Sequence, residues 1–340
     1  MTQSSPQVLQ GSSQVLQGYA ELHCLSNFTF LKGASHPHEL VRRAAELGYR
    51  ALAVTDECSV GGVVRAWEAA REYGLALIVG AEFRFGDDVL VVLAQGRLGY
   101  ARLCRLITLG RRRASKGDYR LDWSDLDGLD DCLLLYQPGA CLDQARGRMR
   151  WLQAAYPGRC WMMVQRHYVA NEAQRLDAQV ALATSLNMPM VATGNVVMHV
   201  PARKRLQDVL TALRHRVTVQ QAGYWLEANA ERCLRSLERL SQCFPRHLLE
   251  ESLVIAERCR FDLGELCYEY PEELVPAGHT PTSWLESRVR EGERRRFPDG
   301  TPADIARQID HELSLIAKMG YEPFFLTIED IVAFARQRGI

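Results

Sequence analysis

Apolar residues come in short unbroken runs through the first two-thirds of the chain. Runs at 19–26, 51–55, 75–79, 89–94, 133–136, 160–164 and 190–193 read as buried strands, most of them apolar enough to be covered on both faces. Between them, 39–47, 61–73, 100–109, 171–186 and 201–213 carry apolar positions at helical spacing. Gly48 and Gly74 stand where two of these helices end, and Asn171 stands where another begins. Strands alternating with helices predict parallel βα units, about seven of them between 19 and 215. After residue 216 the pattern changes to two amphipathic helices, 231–243 and 248–259, with no strand between them. Pro271, Pro276, Gly278 and Pro281 mark a boundary. A helix follows over 302–319, stopped by Gly320, then apolar stretches at 324–328 and 331–336. The expected organisation is a mobile polar tail over 1–18, which carries a short Ser-Ser and Gln-Val-Leu-Gln repeat, a barrel domain over 19–270, and a linker with the start of a second domain over 271–340. The pattern breaks off at Ile340, so the chain is expected to be a fragment.

Composition narrows this picture. Hydrophobic residues make up 47% of the 340, enough for a sizeable core. Lys+Arg and Asp+Glu are both 41, so any contact with nucleic acid must come from local patches. The ten cysteines are scattered with no CxxC pair, which reads as buried thiols in a reducing cytoplasm. No apolar run is long enough for membrane insertion, so no membrane partner is expected.

The candidate chemistry sits near the strand ends. His23 lies in the first run, Asp56 and Glu57 follow the second, and Glu82 is expected to end the third. A (βα) barrel presents its site in this way, with strands as wall and strand ends as chemistry. Asp56 reads as a loop or cap residue. His36 and His38 flank Pro37 at a helix start and read as solvated.

The ordered set Glu21-Leu22-His23-Cys24-Leu25-Ser26, Leu31-Lys32-Gly33-Ala34, Thr55-Asp56-Glu57 and Gly80-Ala81-Glu82 resembles the PHP (polymerase and histidinol phosphatase) domain. It is most similar to the PHP domain that opens bacterial C-family DNA polymerases of the replicative alpha-subunit type. The resemblance continues through Val164-Gln165-Arg166-His167, Val191-Ala192-Thr193-Gly194-Asn195 and Leu206-Gln207-Asp208, and resumes from Glu312-Leu313 to Asp330-Ile331 as the start of a palm domain. The Thr-Asp-Glu variant and Met198-His199 resemble the error-prone branch used in damage-tolerant synthesis. The implied fold is a distorted (βα)7 PHP barrel followed by a mainly helical segment.

Metal-binding PHP domains hold a cluster of ions on His, Asp and Glu side chains, and such a cluster activates water against phosphate esters. Carried over along this chain, the first His is His23 and the second is Leu25. The next ligand, an Asp, is Lys32. The His after Thr-Asp is Glu57, the Glu is Glu82, and the His opening the next strand is Val89. The next His is His167, and the closing Asp-x-His pair is Asn195 and Val197. Leucine and valine cannot coordinate, and an ammonium at Lys32 repels a dication. No functional metal cluster is expected, with Lys32 paired to Glu57 or Glu82 as a stand-in cation. His23 and Glu82 read equally as ordinary hydrogen-bonded residues. His23, Glu57, Glu82 and His167 are the remaining candidates for a residual metal. His199 is two residues from the lost His, roughly 6–7 Å along an extended chain, and so a poor replacement.

The resemblance implies a parent DNA polymerase using magnesium ions on palm aspartates, with those aspartates and a Gly-Arg-Gly-Ser segment beyond residue 340. This chain by itself is then expected to be inactive and its PHP site silent, with a structural or docking role and no proofreading. DNA, mutasome proteins and a sliding clamp are the implied partners. Three basic runs, 111–113, 203–205 and 294–296, are candidate phosphate contacts, and Arg203, Lys204 and Arg205 are preferred because they adjoin the site. The competing readings are a metal-dependent phosphoesterase or 3′-5′ exonuclease, and a pure interaction module.

Overall fold

Seven strands form one curled sheet in chain order: β1 (Ala20–Cys24), β2 (Ala51–Val54), β3 (Ala76–Phe85), β4 (Asp88–Ala94), β5 (Cys132–Gln137), β6 (Cys160–Val164) and β7 (Met190–Ala192). The computed structural model describes Leu16, residues 18–266 and residues 274–340. The expected mobile tail therefore lies outside the described residues, apart from buried Leu16 and Gly18. Two compact units divide the chain, Met1–Glu265 and Leu266–Ile340.

The sheet is not all parallel. β3 pairs antiparallel with β4, and β4 antiparallel with β5. Only Gly86 and Asp87 separate β3 from β4, and a parallel crossover needs a dozen or more residues. Gly86 takes φ +65°, the left-handed conformation a tight hairpin requires. β3 also runs past its apolar core to Phe85, so Glu82 sits within the strand and not at its end. The polar residues Glu82 and Arg84 hid this extension, since they share one face of the strand at a spacing of two.

Five helices cover one face of the sheet, α1 (Pro37–Glu46), α2 (Val63–Tyr73), α3 (Arg97–Arg112), α4 (Leu142–Ala155) and α5 (Glu172–Ser185), and α6 (Lys204–His215) follows β7. Leu40 and Val41 of α1, Leu103 of α3, Met149 of α4 and Leu176 of α5 join β-strand side chains such as Val54, Phe83 and Tyr136 in the larger core. Past α7 (Val219–Ala222) come α8 (Leu237–Cys243), shorter than its expected span, and α9 (Arg246–Arg258), which starts two residues before its expected span and ends one residue before its end. Ile255 of α9 packs with Leu22, Ala53, Val91 and Met163 in a second core on the opposite sheet face. Beyond β7 the chain meets β1: Val196 donates to the His23 carbonyl and Leu25 donates to Val196 O, at 2.9 and 2.8 Å. That closure brings residues of the first and last strands into one rim.

Among its described residues the second unit holds the helices α10 (Pro281–Arg296), α11 (Ala303–Met319) and α12 (Glu322–Gln337). The capping box at Thr280 and Ser283 starts α10, a helix the proline-rich reading of 271–281 did not expect. The apolar stretches at 324–328 and 331–336 prove to be one helix.

Candidate pocket at the barrel rim

β1 carries an irregularity between Glu21 and Cys24, where three residues advance against two of β2. A bulge of this kind re-aims side chains. Here it turns His23 to meet Glu82 of β3, with His23 Nε2 2.7 Å from Glu82 Oε2 and both side chains fully buried. The Gln165 amide donates to His23 Nδ1 at 3.2 Å. That leaves Nε2 carrying the proton, a neutral imidazole donating to a carboxylate. Burial lowers the His23 pKa, against the pull of Glu82. Burial works to raise the Glu82 pKa, but the His23 bond and the Arg84 guanidinium (Nε to Oε1, 2.8 Å) hold it at about 2.

Glu57 is the second carboxylate of the rim. Lys32 Nζ donates to its Oε2, and Tyr119 OH donates to its Oε1 at 3.1 Å. Arg84 Nε lies 3.8 Å from Glu57 as well as on Glu82. Beneath them, fully buried Asp56 accepts from Ser26 N, Ser26 Oγ and Thr29 Oγ1, all at 2.7 Å, and so ties the 26–33 loop to the end of β2.

Leu25 and Val197 are buried together with Ala34, Met198 and Cys233 in a small apolar cluster. Val89 lies in the second core and pairs in register with Arg84. His167 stands across the rim, where its Nε2–H donates to Gly194 O at 2.9 Å. Asn195 accepts from Arg232 through both its side chain (2.5 Å) and its carbonyl (2.9 Å). His199 is held away by Ser35, whose Oγ is 2.7 Å from its Nδ1. Of the basic trio, Arg203 pairs with Glu39 and Lys204 with Asp208, and Arg205 is exposed. His36 and His38 stack on one another at 5.5 Å.

Four further residues complete the rim. Glu21 is buried and accepts from Tyr19 OH, His23 N and Gly194 N. Arg84 and Gln165 hold the His23–Glu82 pair from either side. Arg84 was missed because the strand was expected to end at Glu82, although a spacing of two along a longer strand would have put the pair on one face. Arg232 lies in an irregular segment with no pattern to expose it.

Two of these groups give a pH signature. Burial pushes the Glu21 carboxyl up to about 7. Burial, with the Arg232 charge, pushes His167 down to about 4. The unfolded chain protonates His167 near 6.5, so stability is lost as pH falls from 6.5 to 4, by about 3 kcal/mol at full expression. Glu21 acts in the opposite sense, because its raised pKa makes stability fall as pH rises from 4.5 to 7. The two nearly cancel in the shared window. Glu21→Gln, which cannot titrate, is expected to lose stability more steeply than the parent chain between pH 6.5 and 4.5. Urea midpoints across that range test this, and parallel curves for the two proteins would discard it.

The comparisons with known proteins agree with this architecture. The PHP domain family matches residues 21–156, and the bacterial DNA polymerase III alpha NTPase domain family matches residues 283–340. The chain thus carries a PHP domain, followed by part of a bacterial DNA polymerase III alpha region. Among curated relatives, it is 52% identical over 327 residues to an error-prone DNA polymerase of Pseudomonas aeruginosa, covering 96% of this chain and 31% of that protein. It is 52% identical over 332 residues to the error-prone DNA polymerase of Dechloromonas aromatica, covering 96% and 32%. The chain spans about a third of the length of these relatives. A solved amidohydrolase from Chromobacterium violaceum is 16% identical at a TM-score of 0.39, covering 53% of this chain and 88% of that one, a likeness too slight to carry weight. Among the described residues no helix is long and apolar enough to cross a membrane.

Proposed function

We propose that the chain is part of an error-prone DNA polymerase acting in damage-tolerant synthesis, and that its PHP pocket is a non-hydrolytic structural and docking module. One observation carries the second statement: the two carboxylates best placed to hold a dication, Glu57 and Glu82, are already taken by Lys32 and Arg84. Around them, Leu25 and Val197 bury apolar side chains where the family resemblance asks for ligands. These residues do not fit a metal cluster. At 4 Å and an effective dielectric of 20, each pair of like unit charges repels by roughly 4 kcal/mol, and a dication beside an ammonium doubles that. Asn195 is tied to Arg232 and His167 to a backbone carbonyl, which further depletes the donor set.

The whole protein, in this reading, transfers nucleotides onto DNA with magnesium, and DNA, mutasome proteins and a sliding clamp are its partners. This chain, a third of the relatives' length, does not polymerise alone. Without a water-activating metal the barrel supplies no proofreading, which suits error-prone synthesis.

Elemental analysis of protein purified without chelator is expected to find zinc, manganese and iron well below one per chain. Nitrophenyl phosphate with added manganese is expected to turn over at the buffer rate. Stoichiometric metal, or turnover abolished by His23→Ala, would overturn the reading in favour of a metal-dependent phosphoesterase.

A further inference from the structure

A cavity of about 320 Å³ opens at the rim, lined by Lys32, Arg84, Arg214 and Arg232 and by the carboxylate of Glu227. Three carboxylates answer these four cations. Glu57 takes Lys32, Glu82 takes Arg84, and Glu227 takes Arg232 at 2.5 Å. Arg214, at the end of α6, makes no ion pair among the described residues, and it donates to His215 at 3.4 Å. Four cations against three carboxylates leave one positive charge in the cavity, in a chain whose formal net charge is zero.

The wall beside Arg214 is aromatic. His215 and Trp225 stack with ring centroids 4.3 Å apart and planes 6° from parallel, and both line the cavity. Trp225 remains 53% exposed. Leu25 and Val197 form an apolar wall of the same cavity.

A ligand for this cavity needs anionic oxygens for the guanidinium groups and a flat face for the indole. Guanidinium forks match phosphate oxygens in geometry and charge. An aromatic side chain binds a nucleobase by stacking, worth about 1–3 kcal/mol per base. The volume sits at the lower end of small-molecule sites, which suits a mononucleotide and excludes a duplex. We propose that this cavity binds a nucleoside phosphate without a metal ion, with the phosphate on Arg214 beside Arg84 and Lys32 and the base against Trp225. The site is a receptor, and no bond is made or broken there. It rests on the reading above that side-chain cations, not a metal cluster, occupy the pocket.

Titration calorimetry on the 340-residue chain in EDTA tests this with three probes: deoxyadenosine monophosphate, inorganic phosphate and deoxyadenosine. The monophosphate is expected to bind most tightly and the phosphate-free nucleoside not at all. Arg214→Glu is expected to weaken the monophosphate and inorganic phosphate at least tenfold. Arg214 is exposed, so this variant keeps its fold, and an unchanged melting curve checks that. Trp225→Ala is expected to weaken the monophosphate by roughly tenfold, the size of one stacked base, and to leave inorganic phosphate unchanged. No binding by the monophosphate, or binding indifferent to Arg214→Glu, overturns the proposal. Equal affinity for phosphate and monophosphate with a silent Trp225→Ala overturns it in favour of an inorganic phosphate site. Elemental analysis of the protein as purified without chelator, before EDTA is added, separates the two failures. Metal-free protein that binds no monophosphate defeats this inference alone, and metal-loaded protein defeats the reading beneath it.

Discussion

His23→Ala is expected to destabilise the barrel by about 3–5 kcal/mol, more than any other single change at the rim apart from a backbone clash. The imidazole is fully buried, and it donates to Glu82 at 2.7 Å while accepting from Gln165 at 3.2 Å. Alanine leaves a buried carboxylate with Arg84 as its remaining ion-pair partner on this rim and removes one acceptor of the Gln165 amide, which keeps Thr193 Oγ1 at 3.2 Å. It also opens a cavity the size of the ring. In a unit of this size each kcal/mol is worth roughly 2–4 °C, so the melting temperature should fall by about 10 °C. The acid limb should move too. Glu82, held at about 2, contributes stability above its unfolded pKa that is lost as pH falls from 4.5 to 2. Without the His23 bond its pKa rises, and acid unfolding begins at a higher pH. His23→Gln keeps an amide donor and should recover part of the loss. A fall below about 1 kcal/mol, the worth of an ordinary exposed contact, would show that the pair does not hold the rim together.

Gly33→Ala is the second large effect, and its cause is steric. A Cβ at Gly33 would sit 2.0 Å from Ser26 O, 2.3 Å from Ser26 C and 2.9 Å from Asn27 N. Those backbone atoms cannot yield cheaply. Ser26 is held twice by Asp56, and Asn27 N donates to Ser35 O at 2.8 Å. The 26–33 loop must open, and Lys32 moves with it, away from Glu57. The expected cost is about 3 kcal/mol or more, the upper end for overpacking a site that cannot relax. Gly147→Ala is the control. It lies inside α4 with nothing within 4 Å of its added carbon, so alanine there should stabilise by about 0.5–1 kcal/mol. Paired melting curves decide it, and a neutral Gly33→Ala would mean that the loop is not clamped as described.

Much of the fold was legible because period and length are local properties. The seven apolar runs stand in the sheet in the order they occur in the chain. Gly74 ends α2 in the left-handed conformation, at φ +65°. The antiparallel hairpin was missed because its clue was a gap of two residues, not a pattern of apolar positions. α4 was missed as well. Its core positions Ala145, Met149 and Leu152 are few and alternate in sequence with Arg146, Arg148 and Arg150, which masks the narrow apolar face.

The site was legible in its members more than in its assembly. Lys32 was named only through the family resemblance, whereas His23, Glu57 and Glu82 stand out as polar groups in or beside apolar runs. Glu21 did not, since one glutamate at the start of a strand carries no mark of full burial. Arg214 and Arg232 lie nearly two hundred residues after Lys32, and no periodicity joins them.

Which residues could ligate and which could not was settled by side-chain chemistry alone: a leucine at 25 and a valine at 197 have no lone pair to offer, whatever surrounds them. Which cation meets which carboxylate was not. That needed the bulge in β1, the closure of Val196 onto His23, and the approach of α6 and the segment after it. Charge pairing depends on distances of a few ångströms between groups far apart in the chain, and only the folded backbone sets those distances.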